Sequence, residues 1–255
     1  MVISFSKYHA AGNDFIMIDN RNLSIHLSKN QINYLCHRHF GIGADGLILI
    51  QNHKEADFEM IYYNSDGKLG SFCGNGSRAA VLFAKDIGAI ASSNVRFVAY
   101  DGLHHANLYA QKISILMSDY KNFKVLNSNE YFLDTGSPHH VIFVQDVISY
   151  PVYEKGKEIR NFERYQPNGT NVNFVEELKE GIYVRTYERG VENETLSCGT
   201  GVTAAAICFL KKNHLQNGKV RVFTLGGELN VVVTDKNEIY LEGPAQPVFT
   251  GFIKL

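Results

Sequence analysis

One stretch of this sequence occurs twice, in a constant register, 125 residues apart. CGNGSRAA at 73–80 matches CGTGVTAA at 198–205, with the cysteine, both glycines and both alanines identical. Flanking strand-like segments align at the same offset: FEMIYYN at 58–64 with YVRTYER at 183–189, and VRFVAYDG at 95–102 with VRVFTLGG at 220–227. Because one register holds through strand, Cys-Gly-x-Gly, helix and strand, the pattern predicts two copies of one α/β unit.

The repeat also predicts the domain organisation. We expect a boundary near 115–120, around the segment 118–122, which divides the chain into an N-terminal half, 1–117, and a C-terminal half, 118–243. In each half a helix should start just after Cys-Gly-x-Gly and pack on a strongly bent sheet. Two halves related by a pseudo-twofold axis would face one another across a cleft, and interdomain clefts are common ligand sites.

Strand-like segments outnumber helix-like ones. Runs rich in β-branched and aromatic residues predict strands at 15–19, 47–51, 58–63, 95–99, 113–117, 141–145, 172–175, 182–187, 220–224, 229–234 and 238–242. Helical patterns predict helices at 29–40, 76–86 and 201–212, with Ser28 as the N-cap of the first and Gly41 just past its end.

Composition excludes several classes of protein. The 255 residues carry a formal net charge of −1, which removes the electrostatic basis for a nucleic-acid surface. The 16 Phe and 14 Tyr argue against disorder, and no apolar run approaches the roughly 18 residues of a membrane span. The first fifteen residues lack the features of a signal peptide, so we expect a cytoplasmic protein with reduced cysteines.

The four cysteines fall into two kinds. No CxxC or paired histidine spacing accompanies them, so we expect no metal site. Cys36 and Cys208 lie in helix-like segments and are predicted to be core thiols. Cys73 and Cys198 each precede a predicted helix start, where free N–H groups and the helix dipole stabilise a thiolate and can hold a carboxylate. A buried Cys in a tight turn is the alternative for one such motif, but two equivalent motifs favour reactive thiols.

Two such thiols on opposite sides of a cleft suit the inversion of a stereocentre. This reaction needs a base on one face of the carbon and an acid on the other, with the roles exchanged in reverse. Helix N-termini at the substrate carboxylate would stabilise the carbanion-like transition state. One tempting motif is rejected: Gly41-x-Gly43-x-x-Gly46 follows a helical pattern and precedes a strand, whereas the dinucleotide fingerprint needs the reverse order.

The motifs of the whole chain resemble the diaminopimelate epimerase family. They are KYHAAGNDF at 7–15, GIGADG at 41–46, YNSDG at 63–67, CGNGSR at 73–78, GSPHHV at 136–141, GTNVNF at 169–174, YERGVENETLSCGTG at 187–201 and GPAQPVF at 243–249. The resemblance implies an α/β (α+β) fold of two pseudo-symmetric domains, each a mostly antiparallel sheet wrapped round a central helix. It also implies that 244–255 packs back on the N-terminal half.

The family's activity gives a functional expectation. The resemblance implies an isomerase that interconverts LL- and meso-2,6-diaminopimelate, without pyridoxal phosphate or any other cofactor, in lysine and peptidoglycan precursor biosynthesis. It implies a homodimer whose partner is this small-molecule substrate, with no nucleic-acid or membrane partner.

Site residues carry over only where the motifs match. The resemblance implies that Cys73 and Cys198 are catalytic and that His139 and Glu188 tune or support them. It implies substrate binding by Asn13, Asn64, Gly74, Asn75, Asn171, Glu188, Arg189, Gly199 and Thr200. The family usually has Asn where Ser137 stands, so one amide contact to the substrate is expected to be shortened or lost.

Each of these assignments has an alternative. Asn13 and Asn64 are also ordinary turn residues, Glu188 and Arg189 could form a solvated strand end, and His139 could be a hydrogen-bonded loop histidine. A proline or hydroxyproline racemase would share the fold and the cysteine pair. A non-catalytic member would bind a ligand only, and an inactivating disulfide between the two cysteines is a third possibility.

Overall fold

The computed structural model describes residues 2–70, 72–109 and 112–255. In these residues the α-helices are α1 (Lys29–Cys36), α2 (Gly74–Asp86), α3 (Val152–Arg160) and α4 (Gly199–Lys212), with a 3-10 turn at Glu163–Tyr165. The strands are β1 (Val2–Ala10), β2 (Asn13–Asp19), β3 (Gly46–Gln51), β4 (Phe58–Asn64), β5 (Asn94–Ala99), β6 (Gly102–Tyr109), β7 (Lys112–Met117), β8 (Lys121–Val125), β9 (Glu130–Asp134), β10 (Pro138–Phe143), β11 (Asn171–Leu178), β12 (Gly181–Glu188), β13 (Asn193–Thr195), β14 (Gly218–Thr224), β15 (Gly227–Val233), β16 (Ile239–Pro244) and β17 (Gln246–Lys254).

The predicted mixed α+β fold, with mostly antiparallel strands and few helices, is confirmed. Every predicted strand overlaps an observed one, although β10 begins three residues earlier than predicted. The prediction missed six strands, namely β1, β6, β8, β9, β13 and β17. Several of these have exposed or mixed faces, such as β8 with only one half-buried residue, and therefore lack a run of apolar residues.

The first helix is shorter than predicted. Ser28 caps α1 in a reciprocal capping box with Gln31, as expected, but α1 ends at Cys36 and not at Phe40. The backbone of His37 is extended, and the N–H groups of His39 and Phe40 donate to its ring nitrogen Nδ1 at 3.1 and 3.2 Å. This local hydrogen bonding competes with another helical turn. Cys36 therefore lies at the helix end, not in its middle.

The helices α2 and α4 begin two residues earlier than predicted, at the first glycine of each Cys-Gly-x-Gly motif. Cys73 and Cys198 are consequently the N-cap residues, and both have extended backbones. The structure also contains α3, which the sequence pattern did not predict because the helix is short, Pro151 at its N-cap offers no side-chain cap, and Gly156 lies in its interior. A Cβ at Gly156 would lie only 2.3 Å from Cβ of Tyr187, so close packing explains that glycine.

The chain divides into two compact units. Unit 1 comprises Met1–Ile115 with Gly243–Leu255, and unit 2 comprises Leu116–Glu242. Within unit 1, β17 pairs antiparallel with β1, so the end of the chain completes the sheet in which the chain begins. None of the helices in the described ranges is long and apolar enough to cross a membrane.

The strands of the two units pair in the same pattern. In unit 1, β1 to β6 pair in chain order as antiparallel, parallel, antiparallel, parallel and antiparallel neighbours. In unit 2, β9, β10, β11, β12, β14 and β15 pair in the same series. The structural repeat therefore extends beyond the segments that align by sequence.

Each sheet surrounds one helix. α2 packs against β1, β2, β3, β4 and β6, and most of its residues are buried on all sides. α4 packs against β9 to β12, β14 and β15 and is buried to a similar degree. Runs of alanine, Ala79–Ala80 in α2 and Ala204–Ala206 in α4, allow this close approach. The buried helices fix where each cysteine stands in its unit.

Candidate active-site residues

In unit 1 the thiol of Cys73 is held at the start of α2. The backbone N–H of Gly76 donates to Cys73 Sγ at 3.3 Å, which uses one of the free N–H groups of the helix end. Asn13 Oδ1 lies 3.8 Å from the same sulfur and also accepts from Asn75 Nδ2 at 3.4 Å. The structure therefore brings three predicted site residues, Asn13, Cys73 and Asn75, into one cluster.

Ionic groups hold Asn13 in place. Its Nδ2 donates to Asp45 at 2.7 Å, and Arg38 bridges Asp45 and Asp14 at 2.7 and 2.8 Å. Lys7 pairs with Asp14 at 2.7 Å and also donates to the carbonyl of Gly43. Burial by itself would raise the pKa of Asp14, but hydrogen bonds and charge from Arg38 and Lys7 lower it to about 2.

A buried arginine completes the charged surroundings of Cys73. The Arg78 side chain is fully buried and runs back toward the start of α2, where it donates to Asn75 Oδ1 at 2.7 Å and to the Gly74 carbonyl at 3.4 Å. Burial lowers the pKa of Arg78 to about 10, and negative charge on Cys73 opposes this shift. The guanidinium is thus still a cation at neutral pH and favours an anionic Cys73.

Asn64 has a more peripheral position in unit 1. It is the exposed last residue of β4. Its N–H donates to the Lys68 carbonyl and its own carbonyl accepts from Gly67 N–H, both at 2.9 Å. The backbone of Asn64 therefore closes a tight turn, and a substrate role for its side chain stays a prediction.

In unit 2 the thiol of Cys198 lies beside hydroxyl groups. Cys198 is buried at the start of α4, and Thr200 Oγ1 lies 3.5 Å from its sulfur. The Thr200 hydroxyl is 3.0 Å from Nε2 of His139 and 3.2 Å from the hydroxyl of Ser137. Thr135 fixes the Thr200 backbone by donating to its carbonyl at 2.9 Å. Cys198, Thr200, Ser137 and His139 therefore form a second cluster.

His139 is a neutral histidine. It is fully buried, and burial lowers its pKa to about 3, with the positive charge of Arg189 acting in the same direction. Its Nδ1 lies 3.1 Å from Nδ2 of Asn173, a buried residue that the sequence analysis did not select. The spacing of Asn171 and Asn173 was an available signal, because alternate residues of a strand share one face.

The other predicted binding residues of unit 2 surround this cluster. Asn171 accepts from the Arg189 backbone N–H at 2.9 Å and donates to Ser137 Oγ at 3.1 Å. The Arg189 guanidinium donates to the Asn168 carbonyl at 3.3 Å. The carboxylate of Glu188, at the end of β12, accepts from the Thr195 hydroxyl at 2.9 Å. Ser137 thus accepts from Asn171 and lies within hydrogen-bond distance of His139 and Thr200.

The remaining cysteines are core residues, as predicted. Cys36 and Cys208 are buried, and Cys208 is inaccessible to solvent. Burial raises the pKa of both thiols, that of Cys36 to about 12. Within residues 2–70, 72–109 and 112–255, no three His, Cys, Asp or Glu side chains are arranged to hold a metal ion.

Comparison with known proteins adds independent evidence. A family model described as diaminopimelate epimerase matches residues 5–121 and 131–248. The diaminopimelate epimerase of Flavobacterium psychrophilum is 46% identical over 252 residues, covering 95% of this chain and 97% of the relative.

Solved structures with low sequence identity share the fold. A PhzF-family phenazine biosynthesis protein from Bacillus anthracis aligns with a TM-score of 0.81 at 13% identity, covering all of both chains. A hydroxyproline epimerase from Agrobacterium vitis, with bound trans-4-hydroxy-L-proline, aligns with a TM-score of 0.68 at 14% identity, covering 100% of this chain and 93% of that one. These structures show the fold alone, whereas the family-model match and the 46% identity to the Flavobacterium psychrophilum relative show that the chain belongs to the diaminopimelate epimerase family.

Proposed function

We propose that this protein is an isomerase that interconverts LL-2,6-diaminopimelate and meso-2,6-diaminopimelate by proton transfer at one α-carbon. The observation that carries the proposal is the placement of Cys73 and Cys198. Each is the N-cap of the central, buried helix of its unit, at equivalent positions of the 125-residue repeat. Family membership supplies the substrate.

In the proposed reaction the two cysteines act on opposite faces of the α-carbon. One thiolate takes the α-proton, so that an S–H bond forms as the C–H bond breaks and the electron pair stays on carbon. The other thiol then gives its proton to the opposite face and becomes a thiolate. One proton enters and one leaves, and the two cysteines exchange protonation states. This step needs no pyridoxal phosphate or other cofactor.

Helix N-termini would stabilise the developing negative charge. The helix N-termini of α2 and α4, at Gly74, Asn75, Gly199 and Thr200, carry the positive end of the helix dipole and suit the reacting carboxylate. Donors aimed at charge that develops in the transition state lower the barrier more than donors that bind the ground state. We propose that this set binds the reacting end of the substrate.

The distal end of the substrate carries a second ammonium and carboxylate. We propose that Glu188 binds the ammonium and Arg189 the carboxylate, because these charges are complementary. Asn13, Asn64 and Asn171 would supply neutral hydrogen bonds to the same amino acid groups. His139 would support proton transfer from its position beside Thr200 and Cys198.

The cellular setting follows from the substrate. We propose a cytoplasmic homodimer that acts in lysine and peptidoglycan precursor biosynthesis. Its partner is the small-molecule substrate, and no nucleic acid or membrane takes part.

The direct test is incubation of the purified protein with LL-diaminopimelate in D2O. We expect meso-diaminopimelate to appear on chiral chromatography, with one deuterium at the inverted carbon. L-Proline and trans-4-hydroxy-L-proline serve as parallel substrates, because a proline racemase would share the fold. Activity on either imino acid but not on diaminopimelate would overturn the substrate assignment. Binding of diaminopimelate without deuterium exchange would identify a non-catalytic member.

A further inference from the structure

A buried hydrogen-bond network in unit 2 leads from β11 to the sulfur of Cys198. Asn171 and Asn173 project from the same face of β11, and His139 lies on the neighbouring parallel strand, β10. All three residues are buried. The hydrogen bonds of this network have defined directions, because each amide is held at one end by a backbone group that can only accept.

The orientation of the Asn173 amide is fixed by a carbonyl group. Nδ2 of Asn173 lies 3.2 Å from the backbone oxygen of His140, which has no proton to give, so the nitrogen must face it. Oδ1 accepts from the hydroxyl of Thr186 at 2.9 Å. The second proton on Nδ2 then points to Nδ1 of His139 at 3.1 Å. Nδ1 therefore accepts and carries no proton.

This contact determines which nitrogen of the imidazole is protonated. His139 is buried and neutral, so an unprotonated Nδ1 leaves its single proton on Nε2. The Nε2–H group lies 3.0 Å from the oxygens of both Ser137 and Thr200. It donates to these hydroxyls and cannot accept from them.

Asn171 fixes the donor and acceptor roles of the two hydroxyl groups in this network. Its Nδ2 donates to the Pro138 carbonyl at 3.0 Å and to Ser137 Oγ at 3.1 Å. The Ser137 hydroxyl accepts from Asn171 and can in turn donate a hydrogen bond to Thr200 Oγ1 at 3.2 Å. The Thr200 oxygen then accepts from Ser137 and from His139. Its own proton is left for Cys198 Sγ, 3.5 Å away.

We propose that Asn173 and Ser137 are positioning residues that make the Thr200 hydroxyl a hydrogen-bond donor to the sulfur of Cys198. A donor at this position stabilises the thiolate of Cys198 relative to the thiol, because the charged form accepts the stronger hydrogen bond. The inference rests on the proposed function, since it concerns one of the two proposed proton-transfer groups. It also gives Ser137 a role that is independent of direct substrate contact.

The first test measures the tautomer of His139 in the intact wild-type protein. Long-range 1H–15N spectra of histidine-labelled protein separate the Nε2–H, Nδ1–H and charged forms, and a His139→Gln variant assigns the signal. We expect the Nε2–H form of His139 from pH 6 to pH 9. A predominant Nδ1–H or charged form would overturn the proposal without any variant of Asn173.

The second test reverses one hydrogen bond. In Asn173→Asp a carboxylate oxygen faces Nδ1 and requires a proton there, so the Nε2–H signal should disappear. We expect kcat to fall roughly 10- to 100-fold while KM stays within about twofold. The matched control is Asn161→Asp, an exposed position in unit 2 whose amide donates only to the Lys157 carbonyl, and it should change neither quantity.

A third variant separates the two positioning residues. Ser137→Ala removes one donor to Thr200 but leaves Asn173 in place, so we expect an unchanged His139 tautomer and a smaller fall in kcat. If Asn173→Asp loses the Nε2–H signal but keeps wild-type kcat, the network does not act on Cys198 and the proposal fails. Absence of epimerase activity in the wild type would instead refute the proposed function, while the tautomer measurement would still stand.

Discussion

At the start of α2 the cysteine lies beside an asparagine that ionic groups hold in place, whereas the equivalent cysteine at the start of α4 lies beside a threonine hydroxyl that contacts a serine and a neutral histidine. Cys73 has Asn13 beside it, held by Asp45, and the buried cation Arg78 behind it. The repeat places Thr203 where unit 1 has Arg78, and its hydroxyl donates to the Gly199 carbonyl at 2.9 Å.

The second cysteine relies on hydroxyls and a neutral imidazole instead. Thr200 lies 3.5 Å from the sulfur of Cys198 and contacts Ser137 and His139, and burial keeps the imidazole uncharged. We propose that both arrangements favour a thiolate, one through the field of a cation and the other through directed hydrogen bonds. The two repeats thus share the backbone position of the cysteine but differ in the side chains that would set the pKa of its thiol.

The largest expected effect comes from removing either thiol. Cys73→Ser and Cys198→Ser should each reduce epimerisation of LL-diaminopimelate by roughly 10³-fold or more, because a hydroxyl is a far weaker acid and base at neutral pH. Chiral chromatography measures the rate. The matched control is Cys208→Ala in the interior of α4, which should keep activity. Wild-type turnover in either serine variant would refute the two-base assignment.

Removal of the buried cation should separate activity from stability. Arg78→Met should lower kcat about 10-fold or more, because the thiolate of Cys73 loses the favourable charge of the buried guanidinium, whereas Arg78→Lys should recover part of the rate. The free energy of unfolding should stay the same or rise, because an apolar side chain avoids the desolvation cost of a buried charge. Urea denaturation and steady-state kinetics on the same samples provide the test.

An equal loss of rate and stability in Arg78→Met would show a structural role for the arginine, not an electrostatic one. Rates of Cys73 alkylation against pH sharpen the comparison. We expect the alkylation profile of Cys73 to move to higher pH in Arg78→Met. The profile of Cys198 should not move.

As the pH falls, the stability of unit 2 should decrease at a higher pH than the stability of unit 1. Burial lowers the pKa of His139 to about 3 and that of His140 to about 4, whereas an unfolded histidine titrates near 6.5. As the pH falls from 6.5 to about 4.5, the unfolded state gains these protons well before the folded state does, so unit 2 should lose at least about 2 kcal/mol. The lowered pKa of Asp14 stabilises unit 1 above about pH 4, and this contribution is lost only toward pH 2.

Hydrogen exchange of backbone amides between pH 4 and pH 7, corrected for intrinsic rates, distinguishes the two units. We expect protection to fall earlier in α4 than in α2. His140→Gln should reduce the pH dependence of α4 protection by about half, because one of the two buried imidazoles is gone. Simultaneous loss of protection in both helices would contradict this difference.

The smallest expected effect compares two equivalent glycines. A Cβ on Gly201 would lie 2.3 Å from Asn173 Oδ1, whereas on Gly76 the nearest atom would be the flexible end of Ile48 at 3.2 Å. Gly201→Ala should therefore cost roughly 1–3 kcal/mol of stability. Gly76→Ala should be neutral or gain up to about 1 kcal/mol from helix propensity. Urea unfolding of both variants measures the difference, and equal effects would contradict it.

Much of the fold could be predicted from local patterns. The segments that became β3, β4 and β11 have apolar runs typical of buried strands, and Ser28 with Gln31 marks the start of α1. β8 could not be found in this way, because it has little buried surface and forms by pairing with β9. α3 was missed for a related reason, since packing against β11 and β12 outweighs the missing side-chain cap at Pro151 and the low helix propensity of Gly156.

The candidate site also contains residues that the sequence identified and residues that it did not. Cys73 and Cys198 were identifiable because their motif repeats at one offset. Arg78 was not, because an arginine in a helix pattern carries no sign of burial, and the only signal for Asn173 was its spacing from Asn171 on one strand face. Only the contacts of these side chains show what they do: Arg78 donates at the start of α2, and Asn173 donates to His139.

The sequence by itself determined the repeat, the four cysteines and the family, since each depends on residue identity and spacing. Tertiary structure alone decided that the cysteines are helix N-caps, that one is associated with a buried cation, and that the other is associated with a neutral histidine. The physical reason is that electrostatic and hydrogen-bond effects depend on distance, burial and direction. The distances and directions around Cys198 are set only when β10, β11 and α4 pack together, and those around Cys73 only when β2 and α2 do.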